Sequence, residues 1–142
     1  KGCNKLQGQY TSGTCSVSQK AAEAAYTTDQ TCVEDMRKAF ERRRDLIVTL
    51  AKDIKGLEVN VPEGAFYLFP KCSSFYGKSD GTHTINNSTD FALYLLEVAH
   101  VATVGGDAFG DPDCFRMSYA TSDDNIIEAM KRIKVATEKL KF

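Results

Sequence analysis

The chain has 142 residues, a net charge of −1 and 26% charged residues, enough for one domain with a substantial buried core. Lys and Arg are spread along it, so the charge pattern implies no nucleic-acid partner. No apolar run approaches the ~20 residues of a membrane helix, and the N-terminus has no apolar signal segment. The five cysteines (Cys3, Cys15, Cys32, Cys72, Cys114) are odd in number and form no CxxC pair. Neither a zinc site nor a redox motif is supported, and free, at least half-buried thiols in a reducing cytoplasm are the expectation. His83 and His100 are too far apart for a local metal pair, so no metal site is expected.

Residues 1–10 (KGCNKLQGQY) read as a helix already under way, followed by a Ser/Thr/Gly loop at 11–14. Ser16 with Gln19, and Thr31 with Glu34, have the spacing of capping boxes, each predicting a helix start. The first of these helices is alanine-rich with only Val17 and Tyr26 as large apolar groups, an element that lacks a partner nearby in sequence. In the second, Met36, Phe40, Ile47, Leu50 and Ile54 keep helical spacing up to Gly56, and Arg43 interrupts the stripe, where its stem could cover apolar surface. The Arg42–Arg44 run lies beside Glu41 and Asp45 and reads as a solvated, ion-paired face.

LEVNV (57–61) alternates like a half-buried strand, and AFYLFP (65–70) reads as a second strand that Pro70 ends. Residues 72–88 are rich in turn formers, an excursion expected to be functional or mobile. Asn87 or Ser88 caps a helix burying Phe91, Leu95 and Val98. Two β-branched runs, 101–104 and 115–119, then bracket a Gly/Asp loop. A last helix starts at Ser122 and turns Ile126, Met130, Ile133 and Leu140 inward. This order predicts an α/β fold, one layered domain with a small mixed sheet and helices packed on it.

Arg116 alternates with Phe115 and Met117 on the last strand, sharing a face with Ser118. A strand guanidinium beside a glycine loop suits an anion; it is also what an ordinary exposed arginine looks like. Four segments, in order, resemble the fold-type-I aminotransferases that use pyridoxal phosphate: QGQYTSGTCSVSQKAAEAA, the long helix, EGAFYLFP, and VATVGGDAFGDPDCFRMSYATS. The two longer C-terminal segments look closest to bacterial aspartate aminotransferases. Val104, Gly106, Phe109, Gly110, Arg116 and Ser118 match the C-terminal hallmark, while Gly105 stands where the family usually has proline, a departure expected to loosen the turn.

The resemblance implies a C-terminal fragment, with residues 1–29 the tail of the large cofactor-binding domain and 30–142 the small domain. It implies that Arg116 clamps the substrate α-carboxylate. Phe66 has two readings, core packing or a substrate-mouth contact, and so have Thr11 and Ser12, a plain connecting loop or an interface loop reaching the partner's cofactor phosphate. No catalytic residue is assigned, because the Schiff-base lysine lies upstream in the family; Lys20 reads as a surface lysine. Pyridoxal 5'-phosphate is therefore expected in the full-length enzyme and not in this segment alone. Amino acids such as aspartate and 2-oxo acids such as 2-oxoglutarate are the implied substrates, in a cytoplasmic homodimer. From other classes, the alternatives are a self-standing α/β module binding a small carboxylate and a structural dimerisation domain.

Overall fold

A computed structural model describes residues 1–142. The chain divides into two compact units, 1–36 and 37–142. In the first, α1 (Gly2–Tyr10) and α2 (Ser16–Thr27) bury no residue, and for α2 its alanine-rich sequence leads one to expect this. The Ser16–Gln19 capping box does not form. Cys15 is the N-cap of α2 and makes no side-chain cap, Gln19 donating instead to the Thr14 carbonyl at 2.7 Å. At α3 (Thr31–Lys52), Asp29 caps from outside, its Oδ1 accepting from Thr31 N at 3.3 Å and Thr31 Oγ1 at 2.8 Å. A hydroxyl already inside the first turn cannot serve as the cap that precedes it.

The second unit holds the core. Ile47, Val48 and Ala51 of α3, with Ile54 beyond it, meet α4 (Ser88–Ala99) and α5 (Asp123–Thr137). Phe91 of α4 stacks on Phe75 at 5.0 Å and meets Phe115 edge-on at 5.0 Å. Asn87 caps α4 and Ser122 caps α5, each side chain accepting a backbone N–H three residues on. Arg43 is part-buried as its position in the stripe requires, its guanidinium over Phe40 and reaching Asp123 at 3.4 Å. Arg42 also binds Asp123 through two bonds, so this part of the basic run ties α3 to the start of α5.

Three strands form the sheet: β1 (Tyr67–Leu68), β2 (Val104–Gly105) and β3 (Phe115–Ser118), in the order β1-β3-β2. The layered α/β class holds, but the sheet is antiparallel rather than mixed. The crossover through α4 does make β1 and β2 run the same way; β3 inserts between them, so the two are never neighbours. LEVNV does not become a strand. Only Glu58 pairs, with Lys71; the next pair that could exchange bonds in this register, Asn60 with Phe69, makes none. Residues 72–88 are anchored: Phe75 and Ile85 are buried, and Ser79 pairs with Lys141.

Register fixes the two faces. Leu68 lies opposite Met117, and both are buried with Phe115. Tyr67 lies opposite Ser118, and Val104 opposite Arg116, so these four share the other face. Of them, Val104 and Ser118 are exposed, and Tyr67 and Arg116 half-buried.

Candidate functional site: an arginine between two rings

On that open face the Arg116 Cζ lies 4.4 Å from the Tyr67 ring centroid and 4.0 Å from that of Phe109. Tyr67 reaches it diagonally from β1, a spacing that long side chains span. Phe109 ends a 3₁₀ turn (Gly106–Phe109), after which Gly110 takes φ +86°, a left-handed value suited to glycine. Within the chain the Arg116 guanidinium makes ring contacts and no hydrogen bond or ion pair. Its N–H edge is therefore free for a planar anion, while its faces are covered.

The loop that carries Phe109 is pinned from below. Gly106 N donates to the Oγ of fully buried Ser88 at 3.1 Å, and a Cβ on Gly106 would fall on the carbonyl oxygens of Asp111 and Cys114. Gly105, at φ −59°, a value proline also adopts, pairs with Phe115 and sits against Thr89. Asp111 accepts from Asp113 N at 3.1 Å, a turn-forming role.

Phe66 is 39% exposed and contacts Phe40 at 5.9 Å and Tyr67 at 4.5 Å. Strand alternation grouping it with buried Leu68 therefore fails to predict its place. Ala65 before it takes φ +60°, held by a hydrogen bond from Tyr119 Oη to its carbonyl at 3.0 Å, which re-aims the chain at this point. A cavity of about 350 Å³ adjoins Phe66, lined also by Phe40, Arg44 and Tyr119. Arg116 and Phe66 thus share Tyr67 as a neighbour.

Thr11 and Ser12 lie in the other compact unit, in the exposed turn after α1, where Thr11 Oγ1 donates to the Gln7 carbonyl at 3.1 Å and Ser12 takes φ +55°. Lys20 is exposed and paired with Glu23 at 2.6 Å. The cysteines divide: Cys72 and Cys114 are buried, with desolvation pushing their thiols up to about 12 and about 11. Cys3, Cys15 and Cys32 are exposed, against expectation, because α1, α2 and the first turns of α3 bury nothing. Sequence reasoning missed Tyr67 and Phe109 as the neighbours of Arg116. Both lie inside the quoted motifs, but only strand pairing shows that they meet one guanidinium.

The pattern described as Aminotransferase class I and II matches residues 1–133. The chain belongs to that family. It is 48% identical, over 98% of its own length and 30% of the relative's, to a bifunctional aspartate aminotransferase and glutamate/aspartate-prephenate aminotransferase of Petunia hybrida. The solved aspartate aminotransferase of Rhizobium meliloti superposes with a TM-score of 0.88 at 44% identity, over 96% of this chain and 34% of that one. An aromatic aminotransferase of Pyrococcus horikoshii gives 0.78 at 33% identity, over 94% and 34%. The chain thus spans about a third of the length of the relatives it matches.

Class I and II aminotransferases depend on pyridoxal phosphate. The groups on Arg116 do not make up a site for that cofactor: they are two rings, with neither an amine to form a Schiff base nor a cradle of N–H donors for a phosphate. An unpaired guanidinium edge of this kind can take an oxyanion.

Proposed function

We propose that this chain is part of an aspartate aminotransferase, transferring an amino group between an amino acid such as aspartate and a 2-oxo acid such as 2-oxoglutarate, and that it supplies the substrate α-carboxylate site. Residues 1–29 would belong to the large cofactor-binding domain and 30–142 to the small one. The observation that carries this reading is Arg116, half-buried on the open sheet face with its N–H edge unpaired. Two parallel charge-assisted bonds from that edge would hold the carboxylate and with it the orientation of the Cα–H bond. Phe66, beside a cavity, is read as a substrate-mouth contact, and Thr11 with Ser12 as a loop toward a partner subunit. Five unpaired cysteines agree with a reducing, cytoplasmic setting, and the reading takes the full-length protein as a homodimer. The cofactor's ring and its lysine belong, in this reading, to the remainder of the protein.

Arg116→Lys in the cofactor-loaded longer protein tests the reading. It keeps the charge and removes the fork, at a cost of ~1.5–3 kcal/mol, or roughly tenfold to a hundredfold in kcat/KM. The amino acid and its 2-oxo acid should lose alike, since both carry the α-carboxylate, and the melting temperature should hardly move. Unchanged kinetics with a large drop in melting temperature would make Arg116 a structural strand residue.

A further inference from the structure

Arg116 has five N–H donors and no acceptor within this chain, so hydrogen bonding inside the chain does not fix its direction. What touches it is aromatic: Tyr67 at 4.4 Å and Phe109 at 4.0 Å. Each ring is braced by another. Tyr67 lies 4.5 Å from Phe66, and Phe109 meets Phe69 edge-on at 6.1 Å. Phe109 is also 43% exposed and Tyr67 only half-buried, so burying these rings in a core does not account for their placement. The backbone beneath Phe109 is fixed as well, by the Gly106–Ser88 hydrogen bond and by the absence of room at Gly106.

We propose that Tyr67 and Phe109 are positioning residues that hold the Arg116 guanidinium by its faces, leaving its N–H edge as the one surface that meets the substrate carboxylate. A guanidinium is weakly hydrated on its faces and attracted to the negative face of a ring, so the rings favour one orientation without competing for its donors. An arginine held by a carboxylate partner would lose part of its fork to that partner; held by rings, it keeps all of it. Preorganisation then removes the rotamer cost that a free arginine meets on binding. Phe66 enters as the brace behind Tyr67.

This inference rests on the carboxylate-clamp reading of Arg116, and the test separates the two. In the cofactor-loaded longer protein, Phe109→Leu and Tyr67→Leu should each lower kcat/KM for an amino acid and its 2-oxo acid by about three- to thirtyfold. Phe109→Tyr, which keeps the ring, should restore most of it. The loss should be confined to substrates bearing the α-carboxylate, so half-reactions with a primary amine lacking one report on collapse alone. Independently of activity, the Arg116 Nε–Hε resonance of the 142-residue chain, identified by its disappearance in Arg116→Lys, should sit upfield under the ring currents and move downfield in Phe109→Leu. If Arg116→Lys lowers kcat/KM and the two leucine variants do not, the ring clamp is wrong and the arginine reading stands. An Arg116→Lys variant with unchanged kinetics removes both. A loss equal for amines and amino acids, or one that Phe109→Tyr fails to restore, makes the rings structural and overturns the proposal.

Discussion

Gly106 has no space for a side chain, because backbone carbonyls of Asp111 and Cys114 occupy the position that a Cβ would take. Backbone cannot rotate away as a side-chain tip can, so Gly106→Ala must displace the loop or break the bond to Ser88. A cost of about 1–3 kcal/mol is expected, lowering the melting temperature by roughly 4–12 °C. Gly64→Ala is the control: a Cβ there meets nothing within 4 Å, and stability should stay within about 0.5 kcal/mol. Equal melting temperatures for the two variants would mean that the loop under Phe109 yields freely. The same scale explains Phe66, whose aim is set by an alanine in the left-handed region and not by its place in an alternating strand.

Among elements, the excursion at 72–88 is tied to α4 by His83. Its Nδ1 faces Asp80 at 3.2 Å, its Nε2 faces Glu97 at 3.0 Å, and its ring packs edge-on against Tyr94 at 5.5 Å. Asp80, then Glu97, raise the His83 pKa above its ordinary value. Asp80 is in turn lowered to about 2, chiefly by the backbone N–H groups of His83 and Thr82. A raised histidine pKa means stability that is whole below the unfolded value of ~6.5 and lost as pH rises through the folded value. The lowered carboxylate gives the opposite limb, whole above ~3.8 and lost as pH falls toward about 2. The clasp should therefore be firmest between roughly pH 4 and 6.5, and loop amides at 77–85 should exchange faster as His83 loses its proton. Glu97→Gln should bring the histidine titration down. A histidine titrating at its ordinary value in both proteins would mean that the clasp does not form in solution.

At the scale of the whole molecule, the core belongs to residues 37–142, while α1 and α2 have nine and twelve residues and no buried face. Helices of that length are marginal in water without tertiary packing. Backbone amides of 1–30 should exchange much faster than those of α5 and the second half of α3, and removing 1–30 should shift the melting temperature by no more than about 2 °C. Equal protection throughout, or a truncated chain that melts far lower, would show that these helices have found a partner, a second copy of the chain being the first candidate.

Helices were legible in the sequence because their period is local: Ile126, Met130 and Ile133 on α5, and Phe91 and Leu95 on α4, are buried as their spacing demands. The family was legible through four segments in order. Other features depended on residues distant in sequence. Pairing of Tyr67 with Ser118 and of Val104 with Arg116 decided the strand order and brought Tyr67 and Phe109 to one guanidinium. Asp123, 81 residues from Arg42, became the partner of the basic run. LEVNV had strand alternation yet joins the neighbouring segment at Glu58 alone, because alternation does not say whether a partner segment stays within bonding distance. The sequence by itself determined what repeats along the chain; the tertiary structure decided what meets across it, since periodicity specifies a face but not the surface that face will find.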